Sequence, residues 1–338
     1  MLPTAIKPHV FTNLAWDNID RSEETLSGKG TSHRVNGIAV QKSVDTEQQQ
    51  LSLPIMNPKD KKRTINSVTV INEHQLEVYI SGERVGPEAL KIVDNPYVNR
   101  IIKTKVDIAE QKNLIWTLLR QFNADNQTVP GWTGFNILTR HIENLTEDVI
   151  SYLPTINAPP TELSTVFHVL KQSELIRQHL SLNTVVVVMD QALYTKAAEI
   201  VWKRKEQFQN IVLRLGTFHT ICNVLGIIGK RFKDAGLRDL CIESGIVAEG
   251  SLRSVLEGKM YNRAIRTHKC IYEALMRLMW NKFVNWLDAK SEQKENRLVL
   301  LRLITNLTEI LDQTSLHLIL EREEFLELNA YWLEYNSF

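Results

Sequence analysis

Residues 183–208, NTVVVVMDQALYTKAAEIVWKRKEQF, and residues 210–232, NIVLRLGTFHTICNVLGIIGKRF, decide the reading of the fold. Each opens on a short unbroken apolar run, Val185–Met189 and Ile211–Leu215, and continues into a stretch long enough for a helix. A β-branched run without alternation fits a strand buried on both faces. Two consecutive strand–helix units predict adjacent parallel strands in a sheet interior, with residues 195–209 as the crossover helix. In such sheets the chemistry gathers at the carboxyl ends of the strands. Asp190 follows the first run and His219 the second, so both fall there.

Working upstream, residues 1–100 read as a strand-rich part of the same core. HVFTNLAWD (9–17) predicts a strand ending at Asp17, where an Asp-Asn pair signals a turn. SGKGT (27–31) reads as a loop, VNGIAV (35–40) as a second strand, and the polar residues 41–63 as another loop. Within that loop Lys59–Arg63, KDKKR, is a solvated charge run before it is a nuclear-localisation patch. SVTVI (67–71) and LEVYI (76–80) predict a hairpin.

Residues 101–182 read as a helical insertion. VDIAEQKNLIWTLLRQF (106–122) sets Ile108, Ile115, Leu118 and Leu119 on one stripe. The proline-bearing breaks VPGWTGFN (129–136) and LPTINAPP (153–160) flank a short helix, and a longer helix runs from Thr161 to about Leu180. Residues 183–269 carry the α/β core with its basic helices. Residues 270–338 form a helical C-terminal region whose last helix stays apolar, which leads us to expect a chain that stops inside a larger domain.

The 338 residues are 43% apolar and 23% charged, with 40 Lys+Arg against 39 Asp+Glu, values of a globular chain rather than a disordered one. Three irregularly spaced cysteines predict reduced thiols and an intracellular setting. No apolar run reaches the ~18–20 residues of a bilayer span, so no membrane is expected. Charge is uneven: residues 195–269 hold 14 Lys+Arg and 7 Asp+Glu. A basic stretch beside acids suits a polyanion, although a solvated helix surface reads the same way.

Asp190 is the sharpest chemical candidate, since an acid after five apolar residues needs either a partner or the N-cap of the next helix. Asp17 has a comparable setting. Two carboxylates at neighbouring strand ends can hold Mg²⁺, a hard cation that wants oxygen ligands and keeps several waters. Paired ions of this kind serve phosphoryl transfer. A third acid would come from Glu243, Glu249 or Glu257; Ser251 reads as an N-cap and Glu257 as lying inside the helix it opens. His219, Cys222, Cys241, His268 and Cys270 supply zinc-ligand types, but their spacing matches no compact zinc module. There is no phosphate loop, nucleophile elbow or dinucleotide fingerprint.

The runs WDNIDRSEETLSGKGTSHRVNGIAVQ, GWTGFN, YLPTINAPPTELSTVFHVL, VVVVMDQALYTKAAEI, LRLGTFHTICNVLGIIGKRFKDAGLRDL and VAEGSLRSVLEGKMYNRAIRTHKCIYEALMRLMW resemble a family of mobile-element-associated proteins over roughly residues 10–335. Its pattern is similar to transposases with an RNase H-like core and an Asp-Asp-Glu triad. The resemblance implies a short mixed sheet interrupted by helical insertions, with the first Asp on the first strand, the second ending the fourth, and the Glu on a later helix. It implies Asp17, Asp190 and Glu249 (Glu257 as second choice) as metal-holding catalytic acids, with His219 in the place of a strand-end His. The implied function is Mg²⁺-dependent cleavage and transfer of DNA strands. The alternative is a non-catalytic relic of the same fold that binds protein or DNA.

Overall fold

In a computed structural model, the structure describes residues 5–25, 28–43, 71–72, 75–83, 86, 96–122, 129–138, 147–290 and 323–337. The chain divides into two compact units. The first joins Met1–Leu90 to Asn144–Asn223, the second Lys91–Glu143 to Val224–Phe338. Both are therefore discontinuous in sequence, unlike the four consecutive stretches expected.

The first unit is built on a mixed sheet. Its strands are β1 (Thr12–Thr25), β2 (Gly28–Lys42), β3 (Ile71–Asn72), β4 (Asp148–Tyr152), β5 (Ile156–Asn157), β6 (Val185–Met189) and β7 (Ile211–Leu215). The order is β3-β5-β2-β1-β6-β7, with β4 also paired to β2. β1 and β2 are antiparallel, as are β2 and β4. β6 is parallel to β1 on one side and to β7 on the other. Helix α3 (Leu163–His179) leads into β6, and α4 (Gln191–Lys203) with α5 (Lys205–Phe208) makes the crossover to β7. The parallel pair and its crossover are as the two apolar runs predict. β7, however, is the sheet's edge rather than its interior: Val212 is half exposed, as a strand with only one neighbour leaves it.

Four further expectations are corrected. β1 does not stop at Asp17. Its ladder with β2 continues unbroken to Thr25↔Gly28, so pairing overrides the Asp-Asn turn signal. For the same reason Gly28–Thr31 belongs to β2 and not to a loop. Leu76–Ile80 is not a strand: Val78 and Ile80 face solvent, and Tyr79 alone is buried, against Phe167. Residues 67–70, the other arm of that expected hairpin, lie outside the described residues, as does Lys59–Arg63. Finally, residues 148–157 within the expected helical insertion form β4 and β5, which complete the sheet beside β2.

Core packing in this unit joins Leu14 and Trp16 of β1, Val185, Val187 and Met189 of β6, and Val166, Val169 and Leu170 of α3. Trp16 is the fixed point. Its ring lies so close to Gly37, its partner across the ladder, that a Cβ there would sit 2.5 Å from ring carbons. Its indole N–H donates to Ser173 Oγ at 3.1 Å, tying β1 to α3. Buried Gln41 ties the chain's start to β2: its side chain accepts from Lys7 N–H at 2.9 Å and donates to the hydroxyl of Thr12 at 2.8 Å.

The second unit is helical: α1 (Pro96–Phe122), α2 (Trp132–Leu138), the distal part of α6 (Thr217–Phe232), α7 (Leu237–Glu243), α8 (Glu249–Leu256), α9 (Tyr261–Lys290) and α10 (Glu323–Tyr335). Trp116, Phe135, Trp280, Phe283, Phe325 and Trp332 fill its core. Ile115, Leu118 and Leu119 point inward as the stripe predicts, whereas Ile108 is exposed, a turn or more before α1 gains its neighbours. α2 starts at Trp132, inside the stretch read as a break, because Pro130 and Gly131 precede the helix rather than interrupt it. Among the described residues no helix is long and apolar enough to cross a membrane.

Candidate functional site

The parallel pairing of β1 and β6 ends at Trp16↔Met189. The next residue after each is an aspartate, so Asp17, still within the β1–β2 ladder, and Asp190, one residue past the end of β6, stand side by side. Trp16 and Met189 are both buried, and their packing fixes where the two acids emerge. Asp190 is the N-cap of α4; its carboxylate accepts the N–H of Leu193 at 2.8 Å. Its capping role and its place at the strand end are one geometry. Asp17 accepts the backbone N–H of Asn18 at 2.9 Å. With its amide nitrogen turned toward the acids, as the hydrogen bonding requires, Asn18 donates to Asp190 Oδ2 at 2.9 Å and to Asp17 Oδ1 at 3.2 Å.

The electrostatics agree with this proximity. Partial burial pushes the Asp17 carboxyl above its ordinary range, the Asp190 charge pushes it further, and the Asn18 N–H and nearby His219 oppose the rise. His219 lies in the first turn of α6, half-buried, with its ring edge-on to Phe218 at 5.2 Å between centroids. Gly216 lets α6 begin this close: its N–H donates to Met189 O at 2.8 Å, linking the end of β7 to the end of β6.

Asn36 faces Asp17 across the β1–β2 ladder. Its side-chain oxygen is buried and has no hydrogen-bond partner among the described residues. The sequence reading singled out neither Asn36 nor a role for Asn18 as a bridge. A signal for Asn36 existed in Asn36-Gly37, an uncommon dipeptide to find inside a strand.

The proposed third acids belong to the second unit, so the triad is not assembled within one unit. Glu249 opens α8 and pairs with Arg238 at 2.9 Å. Glu257 is the C-cap of α8, not an interior residue. It pairs with Arg253 at 2.9 Å and with Lys259 at 2.6 Å, which hold its carboxyl down at about 2. Glu243 ends α7 and is exposed. Ala248, not Ser251, is the N-cap of α8. Among the described residues no three His, Cys, Asp or Glu side chains gather as a metal site. The three cysteines are free thiols.

A family model for a domain of unknown function, DUF8702, matches residues 131–331, and the chain belongs to that family. No curated protein and no solved structure matches it.

Proposed function

We propose that this is a transposase-like protein with an RNase H-like core, whose Asp17 and Asp190 bind Mg²⁺ for the cleavage and transfer of DNA strands. One observation carries the reading: the two acids directly follow the last paired residues, Trp16 and Met189, of two adjacent parallel strands, the first and fourth of the sheet's five longer strands. That is the placement the resemblance implies.

The donor set fits a hard cation. Two carboxylates converge, an amide donor of Asn18 lies between them where positive charge is favoured, and Asn36, opposite Asp17 in the ladder, has a buried oxygen without a partner among the described residues. Asp17, Asp190 and Asn36 would hold the ion, and such an ion supplies an activated water and charge stabilisation on a leaving oxygen. His219, close enough to act on Asp17, favours the charged form of that carboxyl. Glu249 would have to leave Arg238 to contribute.

A second reading, the non-catalytic relic, has its own support. Asn18 and the amino end of α4 already satisfy both acids, and Glu249 and Glu257 are both held by basic partners. Mn²⁺ and Mg²⁺ titrations watched by calorimetry, together with plasmid nicking, separate the two. The first reading expects saturable metal binding and nicking, each lost in Asp190→Asn. No metal binding by the native chain overturns it and leaves the relic.

A further inference from the structure

In the second unit, a cavity of about 510 Å³ lies between the amino end of α8 and the first turns of α9, lined by Ser251, Arg263, Arg266 and Thr267 among others. Four features make it a receptor for negative charge. The first is the helix end itself. Ala248 offers no side-chain cap, and among the described residues the N–H groups of Glu249 and Gly250 have no acceptor. The second is space: the turn that enters α8 lines the cavity with Gly245 and Ala248, neither of which carries a side chain longer than a methyl.

The third is unneutralised charge. Arg238, Arg253, Lys259 and Arg277 each hold a carboxylate. Arg263 and Arg266 hold none among the described residues; Arg263 instead donates to Ser251 Oγ at 3.3 Å. The fourth is Thr267, only 3% exposed, which lines the cavity with a hydroxyl that has no partner among the described residues. Two guanidinium groups without a carboxylate partner among the described residues and a hydroxyl on one cavity wall leave donors that an anionic ligand can take up. Glu249, the nearest carboxylate in sequence, is held by Arg238 and is not among the cavity's lining residues.

We propose that this cavity binds a phosphate oxyanion. The guanidinium forks of Arg263 and Arg266 match its oxygens, and the amino end of α8 and the two hydroxyls complete the set. The phosphate can come from a nucleic-acid backbone or from a free phosphate or nucleotide, and the experiment distinguishes them. It is run on the full chain in EDTA, so that its result does not depend on any metal at Asp17 and Asp190. One arm measures anisotropy of a labelled DNA duplex across a salt series; the other measures inorganic phosphate by calorimetry.

The variant carries Arg263→Gln with Arg266→Gln, both exposed positions, and its melting temperature is checked against the native chain. Arg253→Gln, which removes an exposed but paired arginine, is the charge control. For a backbone site, the double variant loses roughly tenfold in DNA affinity and about two units of salt slope, and the control loses far less. For a free phosphate, saturable phosphate binding disappears in the double variant while DNA is unaffected. A native chain that binds neither probe, or a double variant that keeps whatever the native chain binds, overturns the proposal.

Discussion

At the scale of single residues, Asp17 is constrained from three sides: by Trp16 behind it, by Asp190 beside it and by Asn36 across the ladder. Its folded carboxyl holds a proton more tightly than an unfolded one, because burial and the Asp190 charge disfavour its anion. The cost therefore appears as pH rises through the ordinary value of 3.8, and it persists above the raised value. Asp17→Asn, which can still accept the Asn18 N–H, should raise Tm at pH 7 by roughly 1–2 °C. Calorimetric scans at falling pH should show the difference vanish near the ordinary carboxylate value; a constant difference would mean that charge is not its source. Gly37 makes a second, sharper case. Gly37→Ala drives a methyl into the buried Trp16 ring and should cost about 1–3 kcal/mol in denaturant unfolding. If the clash is the cause, Trp16→Leu in the same chain should cost less than its effect alone predicts.

At the scale of elements, the parallel pair β6–β7 and its crossover were legible because five-residue apolar runs followed by helix-length stretches have few other solutions. What stayed hidden has physical reasons. β4 and β5 are short, and their support comes from β2, more than a hundred residues earlier in the chain, which no local pattern reports. The continuation of β1 past Asp17 is likewise fixed by its partner strand and not by its own turn-prone residues. The two acids were legible as strand-end residues, but Asn18 and Asn36 acquire meaning only once the ladder places them. The approach of α6 to α8 belongs to the same hidden class. A Cβ on Gly229 would sit 2.0 Å from the Leu256 carbonyl oxygen, a backbone atom that cannot swing aside. Gly229→Ala should therefore destabilise the second unit by about 1–3 kcal/mol despite its better helix propensity, read as a lower urea midpoint.

At the scale of the whole molecule, each unit is made of two separated segments, and the first segment of the second unit interrupts the first. Joining Leu90 to Asn144 through a short Gly/Ser linker should leave residues 1–223 able to close the sheet, since both β2–β4 and β1–β6 pairing lie within what remains. A single cooperative thermal transition, with the emission of a buried Trp16, is the expected result. A non-cooperative chain would show that Lys91–Glu143 is needed to fold the sheet. The interleaving also sets a schedule during synthesis. A ribosome releases the long β1–β2 hairpin first, with both of its edges open, and the strands that cover them follow only after residues 144–215 have emerged. Messages cut short between those points would yield a sticky two-stranded ribbon. The nascent chain thus carries unpaired strand edges from the time Lys42 emerges until the strands of residues 144–215 follow.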